Sequence, residues 1–449
     1  MKKRYQFCSL IAIILMLSLA SCKKWLNVKA PLQVDQNTVY STQQGFREVL
    51  NGVYLQMGSQ SLYGRDLTFG LMSVLGRSYD TTISAAIGNL YYEGAKYNFD
   101  DPDVKAVFTN IWDSMYLCIA NLNNLLENAN QRKSIFTGDN YNTIKGEAMG
   151  LRAFIHFDLL RMFSPSPAAA GLHAPGIPYV TKLSPIAVQA STTGAVIDSC
   201  ISDLLVAKSL LSDADLTTSK FTSWAVNGLL ARIYLYKGDL ANAQMQALSV
   251  INSNRFPLSV NNKDLMFTNE HLFSLFSYSE ISLQYYKTVF NTTPPLGLSA
   301  RDQIALFVTG GGATSDWRRA FVDPSTGVAL GNTISPRKFY GATANVLPMI
   351  RMTEMYYIAA ECATATQDTL SATALLDTVR VHRNIAKYAL SALSADSLNT
   401  EIRKEYQKEF LGEGQMFFYY KRKNMPFSSL PFTKVPVVAN ASYVFTKPD

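Results

Sequence analysis

A chain of 449 residues, 48% hydrophobic and 17% charged, has the composition of a globular protein with a sizeable core, which excludes disordered and fibrous classes. Its formal charge of +7 comes from dispersed residues with no basic stripe interleaved with aromatics, so nucleic acid is not an expected partner. The five cysteines show no CxxC spacing for zinc, and Cys118, Cys200 and Cys362 fall in amphipathic runs where they read as small buried hydrophobes.

Residues 1–21 open on MKKR, continue as an apolar stretch and end at Leu19-Ala20-Ser21 before Cys22. The basic start and short apolar run make a secretory signal peptide, too short for the ~20 residues of a spanning helix. The tetrapeptide looks like a bacterial lipobox, in which small residues fit the signal peptidase and the thiol receives diacylglycerol. Cys22 is therefore expected to become an acylated first residue, with two or three chains holding the protein on a bilayer where one would not. Residues 22–40 read as a lipidated tether, and 41–449 as one domain.

Within that domain, Gln43 to Met57 places Phe46, Leu50 and Val53 on one face and predicts a helix with Thr42 as its N-cap. Residues 59–100 read as loop with aromatic content. Helices are expected from Val104, most clearly over Ile111 to Ala129, then over Tyr141 to Phe163 and Gly194 to Leu211, with a proline-rich loop between the last two. Phe221 to Asn252 carries the clearest repeat signature: two amphipathic runs broken at Lys237-Gly238-Asp239. Ala231, Tyr234, Gly238, Leu240 and Ala243 keep a spacing that resembles a tetratricopeptide repeat. Such a hairpin cannot bury its apolar face alone, so neighbouring repeats are expected at about 104–252 and 350–423. Between them, 253–346 lacks helical periodicity and is too long for a structureless loop, which predicts an inserted irregular lobe with a contribution from 59–100. After it, helices are expected over Ile350 to Ala365, Ser371 to Arg383 and Thr400 to Tyr420. The fold class is mostly α.

Catalytic and cofactor signatures are missing from the sequence: no HExxH, no GxSxG, no Walker loop, and four scattered histidines, of which His156 and His382, on helices, read as structural. No cofactor or metal is expected. Carboxylates do recur at helical spacing, Glu354 with Glu361, and Glu405 with Glu409 and Glu413. Such a pair could run glycoside hydrolysis across a cleft, but interleaved Arg351, Arg403, Lys404 and Lys408 suit solvated or salt-bridged faces better. Trp317 stands apart from the other tryptophans, in irregular sequence beside Asp316, Arg318 and Arg319. A ring beside acid and guanidinium groups suits a sugar or peptide site, and it equally suits a loop-anchoring tryptophan in a small core.

Several stretches together resemble the SusD/RagB family of outer-membrane lipoproteins. They are CKKWLN at Cys22, IWDSMYLCIANLNNLLENA, GEAMGLRAFIHFDLLRMF with GIPYV, the 221–252 hairpin, RMTEMYYIAAECA, LLDTVRVHRN and IRKEYQKEFLGEGQMFFYYKRKN. The last three hold the family's R-x2-E, VR-x-R and E-F-x2-E-G elements, with departures: His382 occupies the second arginine position, Arg383 comes one place late, and Met416 replaces an arginine. The resemblance implies a surface-facing lipoprotein anchored in the outer membrane, which binds an oligosaccharide or peptide and delivers it to a SusC-like TonB-dependent transporter, without covalent chemistry. It also implies ligand contacts in two regions, that of Tyr79, Asp80, Tyr91 and Tyr92 and that of Asp316, Trp317 and Arg318. Rival readings are a lipid-anchored hydrolase using the carboxylates above, and an envelope adaptor that binds no ligand.

Overall fold

Apolar residues at helical spacing and capping side chains at the expected ends produce a stack of helices, each packed on the next. The computed structural model describes residues 36–79, 89–184, 186–276, 289–290, 296–307, 315–321, 329–330, 333–334, 338–339, 346–388, 393–431 and 435–448. The long helices are α1 (Gln43–Met57), α2 (Pro102–Gln131), α3 (Asn140–Phe163), α4 (Thr193–Leu210), α5 (Ser223–Lys237), α6 (Leu240–Asn252), α7 (Met352–Ala365) and α8 (Thr369–Val381). Each packs against its successor in this order, so α6 meets α7 although residues 253–351 intervene in sequence. The chain continues through α9 (Ala395–Glu409) and α10 (Gln415–Arg422).

Local chemistry explains the boundaries. The side chains of Thr42, Asp101, Thr192, Asp239, Asp368 and Ser394 each accept a backbone N–H in the first turn of the helix they precede. The Asp101-Pro102 pair starts α2 ahead of its apolar run, with proline at a position where no N–H is needed. Gly238 ends α5 in the left-handed conformation, φ 90°. Ala231 and Ala243 are fully buried between α5 and α6, as the repeat spacing requires. The aromatics of the hairpin, Trp224 and Tyr236, are buried as packing residues, and the Trp224 indole N–H donates to the Asp213 carbonyl at 2.9 Å.

Three expectations need correction. The segment after residue 58 is no surface loop: it winds through tight turns and the short helices Leu71–Leu75 and Leu90–Ala95, and buries Leu62, Tyr63, Leu67, Phe69 and Tyr97. Its order is nonlocal. Gly414, at φ 73°, lies so close to the Leu67 carbonyl that a Cβ there would stand 2.4 Å from it, and the Gly414 N–H donates to Ser73 Oγ at 3.2 Å. The run expected as one helix from Thr400 to Tyr420 is broken between α9 and α10, because Gly412 and Gly414 both take positive φ. Finally, Ile350 and Arg351 belong to a strand, not to the helix that follows.

That strand, β2 (Val346–Arg351), pairs antiparallel with β1 (His271–Phe276), matching His271 with Arg351 and Phe276 with Val346. The ribbon ties the two ends of the insertion together. It seats on α5 at Gly228, where a Cβ would lie 2.7 Å from Ile350 Cγ2 and 3.1 Å from Leu272 Cδ2. Beyond the ribbon, a helix at Ala300–Phe307 and three two-residue strands surround a small core of Phe267, Leu298, Leu306, Phe307, Phe321 and Leu411. Leu411 comes from the turn after α9, so the insertion and the C-terminal segment share that core. Gly228→Val should force the ribbon off α5 at a cost of about 1–3 kcal/mol. A urea unfolding midpoint that does not fall would show that the contact can relax.

Candidate functional site

The most heavily charged part of the described interior lies where the insertion meets the C-terminal helices. The ribbon ends in Glu270 and Arg351, the turn after α8 supplies Arg383, and the segment before Phe321 supplies Asp316 and Arg318. Three guanidinium groups converge on Glu409: Arg351 at 2.7 Å, Arg383 at 2.9 Å and Arg318 at 3.2 Å. Arg318 also meets Asp316 at 2.9 Å and Glu405 at 2.8 Å, and Arg383 meets Glu270 at 2.7 Å. Glu413 pairs with Arg351 at 2.9 Å and with Lys338, while Lys408 donates to Glu405 at 2.9 Å. All ten of these groups are buried, five acids facing five bases.

The carboxylates at helical spacing are thus salt-bridged, but not on a solvated face, and most of their partners come from distant segments. Burial alone would raise the Glu405 carboxyl, yet Arg318 and then Lys408 overcome it and hold the group at about 2. Burial likewise opposes ionisation of Glu409, and Arg383, Arg351 and Arg318 hold it well below the usual carboxylate range. Glu354 is clasped by Arg232, with both oxygens at 2.6 Å, and Glu361 meets Arg422 at 2.7 Å. Glu405 and Glu409, held ionised by their guanidinium partners, are poor proton donors, and Glu354 and Glu361 are tied up in ion pairs, so these residues do not present the mismatched acid and base that glycoside hydrolysis requires. Among the described residues, no group of three or more His, Cys, Asp or Glu side chains is placed to hold a metal ion.

Against the ionic cluster opens a cavity of about 650 Å3, within the range of small-ligand sites. One wall is α9, where Asp396, Thr400, Lys404 and Lys408 recur every four residues with Ser397 and Glu401 beside them. The insertion helix contributes Leu306, and the segment after α8 contributes Tyr388 and Leu393. Sequence reading missed these residues because Lys404 and Lys408 among acids looked like an ordinary helix surface. The available signal was the hydroxyl and lysine positions sharing one helical face.

The residues singled out in the sequence fall in different places. Asp316 and Arg318 are buried in the ionic cluster and committed to partners there. Trp317, between them, is half-buried in a short 3-10 turn, Trp317–Phe321, and its backbone N–H donates to the Arg383 carbonyl at 3.1 Å. Tyr79 is fully buried and its hydroxyl donates to the Phe69 carbonyl at 2.7 Å, so it packs the early segment and offers no surface to a ligand. Tyr91 and Tyr92 are half-buried on a short helix capped by Asn89, with Lys96 lying 5.3 Å from the Tyr92 ring centroid. Cys22 and Asp80 lie outside the described residues. Two histidines are structural: His156 stacks on Tyr179, and its ring nitrogens meet the Arg152 carbonyl and the Val180 N–H. His271 is bonded by Ser274 Oγ and the Met266 carbonyl. Cys118, Cys200 and Cys362 are free and buried.

A stack of helical hairpins interrupted by a ribbon-tied insertion, with an open cavity at their junction, defines a helical-repeat scaffold. The chain belongs to the SusD/RagB family. Residues 24–235 match the SusD-like family described as "Starch-binding associating with outer membrane", and residues 324–431 match the one described as "SusD family". SusD-like protein P2 of Formosa agariphila is 27% identical over 261 residues, 55% of this chain and 46% of that protein, so the chain spans about half the length of this relative. Among solved structures, a SusD-like carbohydrate binding protein from Bacteroides vulgatus shares the fold at 18% identity and a TM-score of 0.69, covering 85% of this chain and 83% of that one. A SusD superfamily protein from Bacteroides thetaiotaomicron does so at 22% identity and a TM-score of 0.69, covering 85% and 89%. At these identities the likeness is one of fold. Among the described residues, no helix is long and apolar enough to cross a membrane.

Glu409→Ala should cost about 3–5 kcal/mol in urea unfolding, since it leaves buried guanidinium groups uncompensated; a loss below about 1 kcal/mol would contradict the central role of Glu409. A second expectation concerns pH. Because the folded-state value of Glu405 lies below its ordinary 4.5, its contribution to stability is fully present above that pH and is lost as pH falls toward about 2. Unfolding free energy followed from pH 7 to 2 should decline already below about 6.5, because burial pushes the His156 and His271 rings down to about 3 and only the unfolded chain takes up their protons, and it should fall further below about 4.5 as the Glu405 contribution is lost; a flat curve throughout would contradict this.

Proposed function

We propose that this protein is an outer-membrane-associated, carbohydrate-binding lipoprotein that passes its ligand to a SusC-like TonB-dependent transporter. The observation that carries the reading is the open cavity where the insertion meets α9, with half-buried Trp317 anchored to the same junction. Family membership supports it, since the family matched over residues 24–235 couples starch binding with the outer membrane. The charged residues that could have served hydrolysis are held in ion pairs, which favours capture over cleavage. Acylation at Cys22 would keep the protein at the membrane surface, and the segment Leu19-Ala20-Ser21-Cys22 supports that anchor. In this reading the helical stack is scaffold and docking face for the transporter, and the irregular segments carry the ligand. Trp317 is the first contact we assign, with Tyr91 and Tyr92 as further candidates.

The test is calorimetric titration of the detergent-solubilised full chain with a panel of neutral and acidic oligosaccharides and with peptides of matched length. Binding to one or more oligosaccharides is expected, with at least a ten-fold loss in Trp317→Ala. Binding of peptides alone would overturn the choice of ligand class.

A further inference from the structure

The cavity beside α9 has a graded lining. Asp396, Ser397 and Thr400 stand exposed at its mouth, Glu401 and Lys404 are half-buried, and Lys408 and Arg380 are buried at its inner end. Both inner cations keep donors in reserve. The Lys408 ammonium has three N–H donors and makes one hydrogen bond, to Glu405 at 2.9 Å; Asp316 Oδ2, at 3.8 Å, lies beyond bonding reach. Arg380 directs Nε and Nη2 to the Ala386 carbonyl at 3.1 and 2.9 Å, while its Nη1 has only a Glu405 oxygen 3.8 Å away. The Tyr388 ring, 3.8 Å from the Arg380 guanidinium, holds that group flat and fixed. These unused donors face the cavity, and a ligand oxygen supplied at this point would meet preorganised partners.

Charge and shape narrow the ligand. Glu405, Asp316 and Asp377 stand behind the two cations, with Asp377 3.9 Å from Arg380, so the inner end would repel a polyanion, and it is the unused donors of Lys408 and Arg380 that suit a single carboxylate. Nearer the mouth, Ser397 and Thr400 offer hydroxyls. The Glu401 carboxylate accepts from Tyr388 and Lys404, one on each oxygen, and retains lone pairs for further donors. Leu306 and Leu393 add an apolar wall. A small ring bearing several hydroxyls and one carboxylate satisfies all of these features at once.

We propose that this cavity takes a carboxylated sugar, a uronic acid unit of an oligosaccharide, with its carboxylate on Lys408 and Arg380 and its hydroxyls on the Ser397, Thr400 and Glu401 face. The inference rests on the carbohydrate-binding reading above and adds the acid selectivity and its place.

The experiment uses the detergent-solubilised full chain and saturation-transfer NMR with D-glucuronate and D-galacturonate, against D-glucose, D-galactose and the peptide carboxylate acetyl-dialanine. At least one uronate should bind ten-fold or more tightly than its neutral counterpart, and added salt should weaken it. Lys408→Met should abolish the preference. Because Lys408 also belongs to the ionic cluster, Thr400→Trp, at the exposed mouth, provides a variant that obstructs the cavity without touching the cluster, and it should remove uronate binding. Neutral sugars binding as well as the uronates, or uronate binding that survives Thr400→Trp, overturns the inference while leaving the carbohydrate reading intact. Tighter binding of acetyl-dialanine overturns it in favour of a peptide. Silence from all four sugars overturns it as well, and silence from the wider oligosaccharide panel would separately sink the broader reading.

Discussion

The convergence of Arg318, Arg351 and Arg383 on the Glu409 carboxylate is the interaction on which the arrangement of the C-terminal half depends. These four residues come from the insertion, the end of the ribbon, the turn after α8 and the end of α9, and the first three of these segments do not fix their own position by helical periodicity. Bringing ten charged groups out of water costs far more than a surface pair would, and the attraction among them repays that only in one geometry. The cluster therefore acts chiefly as a positional lock, which holds the lobe in one register on the helical stack. The same geometry explains the short turn between α9 and α10: the Glu409 carbonyl accepts from Lys338 and Arg351, and Gly412 and Gly414 let the chain turn back against the early segment.

Much of the stack was legible in the sequence, because its information is local. Thr42, Gly238 and the Ala231 to Ala243 spacing announce a cap, a stop and a close helix contact within a few residues of where they act. What escaped depends on distant partners. The turns around Leu62 to Phe69 have no period of their own and are ordered by packing against Gly414 and its neighbours. The run through α9 and α10 keeps its amphipathic pattern across the break, so only the two glycines betrayed the turn.

The candidate site shows the same division. Interleaved bases made Glu405, Glu409 and Glu413 look like members of an ordinary charged helix face, whereas their main partners sit far away in sequence. Arg383, one place late in its motif, still delivers a guanidinium to Glu409, because it sits in the turn beyond α8, where a one-residue offset is absorbed by backbone rather than by helix phase. Asp316 and Arg318 flank Trp317 in sequence, yet face inward to the cluster while the tryptophan stays partly open. The cavity lining is thus adjacent to the structural charges and partly built from them: Lys408 belongs to both.

The meeting of α6 with α7 across the insertion has a consequence for how such proteins diversify. Since the two helices pack directly and the ribbon closes the base of the intervening segment, the stack is continuous without the lobe's outer parts. Lengthening or rewriting a segment whose ends are already held together costs little loop entropy, rising only with the logarithm of its length. A lineage could exchange the outer lobe and keep its scaffold, with one restriction. Arg318 and Lys338 lie inside the exchangeable stretch but answer to Glu405, Glu409 and Glu413 outside it, so they are the positions that any replacement would have to reproduce.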